Sequence, residues 1–207
     1  MKVEFFHDVV CGWCYIQSPI LRELSLKYNV EVVHRNFILQ KNDQEMIARW
    51  GSLEAAKEQV LQHWESCMAF EGKPERFNID GMRESSFNYP NGMLAAKATK
   101  TAEILGGQIA HWDMFDALQK FHLQDSKNVS DINVIKEAIN SQSYDEKKFI
   151  ELMNSEQVNS ELSKDALMAF NYGVKSIPTL VVNNEHIIRS TTKLPVLMKI
   201  LSDLEVL

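Results

Sequence analysis

The pattern of apolar and polar positions opens with a strand, Val3-Glu4-Phe5-Phe6. A helical stretch follows from Ile16 to Tyr28, where Ile20, Leu21, Leu24 and Tyr28 recur at the 3.6-residue period. After the Asn29 turn, Glu31 to Phe37 reads as a second strand carrying Val32, Val33 and Phe37. From about Asp43 to Phe170 helical patterns succeed one another without a strand. Ser52 is placed to cap a helix running to Phe70, with Val60, Leu61, Trp64, Cys67 and Met68 on its apolar face and Gly72 beyond its end. Pro74 to Pro90 reads as irregular. Further helices are predicted from Asn91 to the Gly106-Gly107 stop, Gln108 to Leu123, Asp131 to Asn140, Tyr144 to Met153, and Glu156 to Tyr172. Strand chemistry returns at Thr179–Val182 and His186–Arg189 across an Asn183-Asn184 hairpin turn. A helix from Leu194 to Leu204 closes the pattern. The order is β-α-β, a helical insertion, then β-β-α. The predicted organisation is therefore residues 1–40 and 173–207 as two parts of one α/β domain, with 41–172 as a helical insertion.

Composition adds exclusions. The 207 residues are 45% hydrophobic and 24% charged, with a formal net charge of −6, which argues against nucleic acid or an anionic membrane surface as partner. No apolar run approaches the roughly 20 residues a membrane span needs. Glu4, His7 and Asp8 stand where a signal peptide needs apolar side chains, so a cytoplasmic location is expected. Three cysteines are too few for a disulfide framework.

The candidate chemistry lies at the first strand-to-helix junction, His7-Asp8-Val9-Val10-Cys11-Gly12-Trp13-Cys14-Tyr15. The start of a helix offers unpaired N–H groups and the positive end of the dipole to Cys11, which favours its thiolate. Cys14 lies one turn deeper. Cys11 is thus the expected nucleophile and Cys14 the resolving thiol. A zinc site needs two further ligands and the chain has no second Cys-x-x-Cys, so no metal is expected, although His7 and Asp8 are potential ligands. Cys67 falls on an apolar stripe and reads as a buried, inert thiol. His111 and His122 have no partner pattern and are expected at the surface. The second motif is Ser176-Ile177-Pro178-Thr179, where a cis Ile177–Pro178 bond beside Cys11 would expose the Ile177 backbone to an extended substrate.

With both motifs in view, the chain resembles the DsbA-like branch of the thioredoxin superfamily, most closely its cytoplasmic FrnE-type members. The resemblance rests on Cys11-Gly12-Trp13-Cys14-Tyr15 and on Gly173-Val174-Lys175-Ser176-Ile177-Pro178-Thr179, at the two ends of a thioredoxin fold with a helical insertion. FrnE-type members more often carry proline where this chain has Gly12. The resemblance implies a thiol-disulfide oxidoreductase acting through Cys11 and Cys14, with Trp13, Ile177 and Pro178 contacting substrate. It implies protein or small-molecule disulfides as partners and no cofactor, glutathione being the candidate electron donor. Glu4 corresponds to an acid that tunes the thiols in DsbA; the sequence leaves open whether Glu4 or Asp8 does so here. Neither Gly12 nor Trp13 is cationic, unlike the histidine between the DsbA cysteines, so a less oxidising couple is expected. Two alternatives stand beside this reading. One is a glutathione-dependent isomerase or transferase of the 2-hydroxychromene-2-carboxylate isomerase type, and the other a redox-sensing adaptor without turnover.

Overall fold

The computed structural model describes residues 1–204. The elements are β1 (Lys2–His7), α1 (Gly12–Tyr28), β2 (Glu31–Asn36), α2 (Asp43–Trp50), α3 (Leu53–Glu71), a 3-10 turn (Pro74–Arg76), α4 (Ile79–Glu84), α5 (Met93–Leu123), α6 (Ile132–Ser141), α7 (Glu146–Met153), α8 (Glu156–Asn171), β3 (Thr179–Val182), β4 (His186–Ile188) and α9 (Leu194–Asp203). The four strands form one sheet in the order β2-β1-β3-β4. β1 runs parallel to β2, with Phe5 opposite His34 and His7 opposite Asn36, and antiparallel to β3, with Phe5 opposite Leu180. The expected β-α-β, helical insertion, β-β-α order is the observed one.

Side chains alternate across β1, as the pleat requires. Val3 and Phe5 enter the main core with Leu21 and Leu24 of α1, Phe115 of α5 and Leu197 of α9. Phe6 points the other way, into a smaller cluster with Ala169, Val174 and Val181. The main cluster also contains Leu61, Trp64 and Ile135, so the helices between β2 and β3 share one core with the sheet.

Local chemistry sets the helix ends. Ser52 Oγ accepts the Ala55 N–H at 3.1 Å, and Gly72, with φ +74°, closes α3 in the left-handed region. Gly107, at φ +73° and ψ −163°, breaks α5 into the two helices the sequence predicts. The segment expected to be irregular differs. Between Pro74 and Pro90 it forms the 3-10 turn and α4, started by Asn78 Oδ1 accepting the Gly81 N–H at 3.0 Å. Six residues are too few for an apolar period to show in the sequence.

His111 and His122 are not at the surface; both are fully buried. The second half of α5 turns His111, Phe115, Leu118 and His122 inward and leaves Lys120 and Asp113 on its outer side. His111 pairs with Glu103 and His122 with the Tyr89 hydroxyl. Burial, with neighbouring cationic groups, holds His7, His34 and His111 well below the usual imidazole range, and burial pushes His122 down to about 4.

Unfolding frees these four imidazoles to take up protons near pH 6.5. Their contribution to stability is complete above that pH and is lost as the pH falls through it. Asp8, raised by burial to about 6, acts in the opposite direction, because the folded form takes up its proton first. The four histidines outweigh it, so stability falls between pH 7 and pH 6. The urea midpoint is expected to fall over that interval, and less steeply in His34→Phe. A midpoint that stays level or rises would contradict the neutral, buried state of the cluster.

Candidate active site

α1 begins at Cys11 because the chain turns there: the Cys11 N–H donates to the Asp8 carbonyl at 3.1 Å. Cys11 is the N-cap, in extended conformation, and its Sγ accepts the Cys14 N–H at 3.2 Å. The two sulfurs lie 2.7 Å apart, both as free thiols. Cys11 keeps 6% of its surface and Cys14 none, so an incoming group reaches Cys11 first. Burial pushes the Cys14 thiol well above the usual range, and the contact with Cys11 adds to the effect.

Gly12 lets α3 press directly on this first turn. A Cβ there would lie 3.1 Å from Cys67 Sγ and 3.4 Å from Phe77 Cε1. Cys67 is buried as expected, and burial raises its thiol far above the ordinary value. Pro19 interrupts α1 by leaving the Tyr15 carbonyl without its i+4 donor. Arg76 Nη2 fills that role at 3.0 Å while stacking over the Tyr15 ring at 3.8 Å.

The loop before Cys11 is held from the insertion. Gln119 Nε2 donates to the carbonyls of Val9 at 3.3 Å and Cys11 at 3.2 Å. Tyr89 OH donates to the Val10 carbonyl at 2.8 Å, and His122 Nε2 lies 2.9 Å from the same hydroxyl. Sequence reasoning missed Gln119, Tyr89 and His122. The one available signal was a glutamine on the apolar stripe of α5.

Asp8 is buried at the base of this loop. Its Oδ1 accepts the Val10 N–H at 3.3 Å and its Oδ2 the Leu39 N–H at 2.8 Å. Its charge and its backbone N–H both act on Cys14. Glu4 stands elsewhere, because the strand alternation turns it to the α8 side with Phe6, away from α1. There it pairs with Lys2 at 2.8 Å and Arg35 at 2.9 Å. Burial alone would raise its carboxyl, but the bonds to Lys2 and Arg35 outweigh that and lower it. The acid beside the thiols is Asp8.

The second motif meets the first. The Ile177–Pro178 bond is cis, and the Ile177 carbonyl lies 4.0 Å from Cys11 Sγ. Trp13 packs edge-on against Phe70, and its carbonyl accepts Thr191 Oγ1 at 3.2 Å. Cys11, Trp13 and Ile177 open onto a cleft of about 300 Å³ that Trp50, Arg49 and Lys175 also line. No acidic side chain is among its described lining residues. A larger groove of about 480 Å³, between Phe37 and α8, contains no thiol among its described residues.

A dithiol at the start of a helix that follows the central strand, faced by a cis-proline loop in the antiparallel strand beside it, defines a thioredoxin-class fold. More narrowly, the chain belongs to the DSBA-like thioredoxin domain family, whose model matches residues 2–201. It is similar to the structure of the cytosolic disulfide reductase DsbM from Pseudomonas aeruginosa with GSH, at a TM-score of 0.78 and 16% identity, covering 100% of both chains. It is also similar to a 2-hydroxychromene-2-carboxylate isomerase structure, at a TM-score of 0.70 and 11% identity, covering 99% of this chain and 96% of that one. In sequence it is 26% identical over 192 residues to the ClpXP adapter protein SpxH of Bacillus subtilis (strain 168), covering 90% of this chain and 60% of the relative. The chain thus spans about three fifths of the length of the SpxH proteins it matches. No helix among the described residues is long and apolar enough to cross a membrane.

Asp8 titrates at about 6 next to the buried thiol. The rate of exchange at the Cys11/Cys14 pair is therefore expected to carry an inflection near that pH, absent in Asp8→Asn. A profile unchanged by the substitution would limit Asp8 to holding the loop.

Proposed function

We propose that this protein is a cytoplasmic thiol-disulfide oxidoreductase in which the Cys11 thiolate attacks a disulfide, releasing one half as a thiol and forming a mixed disulfide. The Cys14 thiol then gives up its proton and attacks Cys11 Sγ, releasing the second half and leaving a Cys11–Cys14 disulfide. Two molecules of a low-molecular-weight thiol return the pair to the dithiol, the first forming a mixed disulfide with the protein and the second releasing it as the thiol's own disulfide. One observation carries the reading: a cysteine at a helix N-cap that lines the cleft, with a fully buried second sulfur 2.7 Å behind its own.

Asp8 supplies a proton-accepting group near Cys14. The cleft supports glutathione as the thiol, since Arg49 and Lys175 face a ligand that carries carboxylates, and the similar DsbM structure contains GSH. The couple is less oxidising than one with a cationic residue between the cysteines, which favours the reducing direction. The similarity to SpxH supports a second reading, a redox-sensing adaptor that binds a protein partner without turnover. The similarity to the isomerase structure supports a third, in which glutathione is bound but the dithiol does not cycle.

Steady-state reduction of a model disulfide by glutathione separates the three. Cys11→Ser is expected to abolish turnover, Cys14→Ser to accumulate the mixed disulfide, and Cys67→Ser to keep most of the activity. Arg49→Ala with Lys175→Ala is expected to raise the KM for glutathione several-fold. Absence of turnover in the unmodified protein would favour the other two readings, the isomerase if glutathione still binds and the adaptor if it does not.

A further inference from the structure

Three histidines from separate elements meet beneath the α1 side of the sheet: His7 at the end of β1, His34 in β2 and His111 in α5. None has accessible surface. Their ring centroids are 5.0 Å (His7–His34), 5.2 Å (His7–His111) and 4.8 Å (His34–His111) apart. One nitrogen of each lies within 4.8 Å of those of the other two. Phe5, Trp112 and Phe115 pack around them. His34 Nδ1 and His7 Nε2 face each other at 3.0 Å, while His111 Nδ1 lies 2.7 Å from Glu103 Oε2. His111 Nε2 has no hydrogen-bond partner among the described residues, nor do His7 Nδ1 and His34 Nε2. Of these, His111 Nε2 is the nitrogen an ion between the three rings would satisfy, and such an orphaned buried group costs about 1–3 kcal/mol.

We infer that His7, His34 and His111 form a buried three-imidazole site for one closed-shell d10 transition ion, zinc or cuprous copper. The spacing fits. With metal–nitrogen bonds of about 2.0–2.1 Å, tetrahedral angles place imidazole centres roughly 5.2 Å apart and their nitrogens roughly 3.4 Å apart. The centroid distances of 5.0, 5.2 and 4.8 Å reach the first value or fall just short of it, and the ligand nitrogens, from 3.0 Å for His7–His34 to within 4.8 Å for the set, span the second.

Imidazole nitrogen suits both ions. Burial favours the neutral, ligating form of all three rings, and the proton shared between His7 Nε2 and His34 Nδ1 would move to the other nitrogen of its ring on binding. The Glu103 carboxylate on His111 Nδ1 is the outer partner that orients a ligating histidine and leaves Nε2 for the metal. The charged neighbours favour the ion of lower charge. Lys100, Arg22 and Arg35 act on the cluster, and Lys100 is offset by Glu103 at 2.7 Å and Asp165 at 2.7 Å. Cuprous copper is satisfied by three nitrogens, whereas zinc would take a water as fourth ligand. The ion would tie β1, β2 and α5 together one residue before the loop that carries Asp8 and Cys11. This inference does not depend on turnover at the dithiol.

The test uses the full chain with Cys11, Cys14 and Cys67 replaced by serine, which removes competing thiol ligands. The protein is unfolded with chelator, then refolded with one equivalent of zinc sulfate, or anaerobically with one equivalent of a cuprous acetonitrile salt. Metal per chain is measured after desalting. Close to one ion retained from either arm is expected, and less than a tenth in His34→Phe/His111→Leu. Less than a tenth in the parent, or equal retention in the histidine variant, overturns the site. Should the double variant fail to fold, X-ray absorption at the metal edge of the parent decides. Three imidazole nitrogens at about 2.0 Å support the site, and a shell of oxygens alone overturns it.

Discussion

The structure depends on how the loop between β1 and α1 has its backbone satisfied. Residues 8–11 leave the sheet and enter a helix within four positions, so the carbonyls of Val9 and Val10 find no backbone partner in either element. Gln119 and Tyr89 supply the donors for Val9, Val10 and Cys11, and the Asp8 carboxylate takes the N–H groups of Val10 and Leu39. A buried carbonyl without a donor costs about 1–3 kcal/mol, so these bonds fix the loop in one conformation. Everything chemical follows from that conformation: Cys11 at the N-cap, Cys14 one turn deeper, and the Ile177 carbonyl beside them. The helical insertion therefore does more than cover the site; its side chains complete the backbone that carries it.

The same tight packing separates the roles of the two thiols. Cys67 and Phe77 press against the turn at Gly12, where any side chain would meet them. That close approach excludes solvent from Cys14 and leaves Cys11 at the rim of a cleft with cationic groups. The two sulfurs therefore differ in surroundings, Cys11 lining the cleft and Cys14 lying fully buried behind it. Among the described residues Asp8 is an acid whose charge acts on the inner thiol, and burial raises its own carboxyl.

The polar groups fall on two sides of the sheet with different partners. On the α8 side, Glu4, Arg35, Asp165 and Lys100 form a chain of ion pairs, each charge meeting its opposite. On the α1 side the histidines face aromatic rings and one another, and Glu103, bonded to both His111 and Lys100, links the two groups. β1 sends Glu4 to the first group and His7 to the second, an assignment made by the pleat alone.

Much of this was legible in the sequence. The order of elements, the stop at Gly106-Gly107, the caps at Ser52 and Asp131, and the two motifs that meet at the site all rest on local chemistry: apolar period, capping oxygen, glycine and proline. The thioredoxin-like fold follows from the order of those elements. What depended on contacts between distant segments was not legible. Glu4 and Asp8 are four residues apart, and only the register of β1 against its neighbours decides which lies beside the thiols. Gln119 and Tyr89 are ordinary residues until the helices fold over residues 8–11. His7, His34 and His111 show no shared spacing, because a cluster drawn from two strands and a helix has no period in one dimension. The sequence by itself determined the elements and the paired cysteines, through interactions within a few residues. Tertiary structure decided which acid, which donors and which histidines surround them, since those depend on burial and on neighbours that only the folded chain brings together.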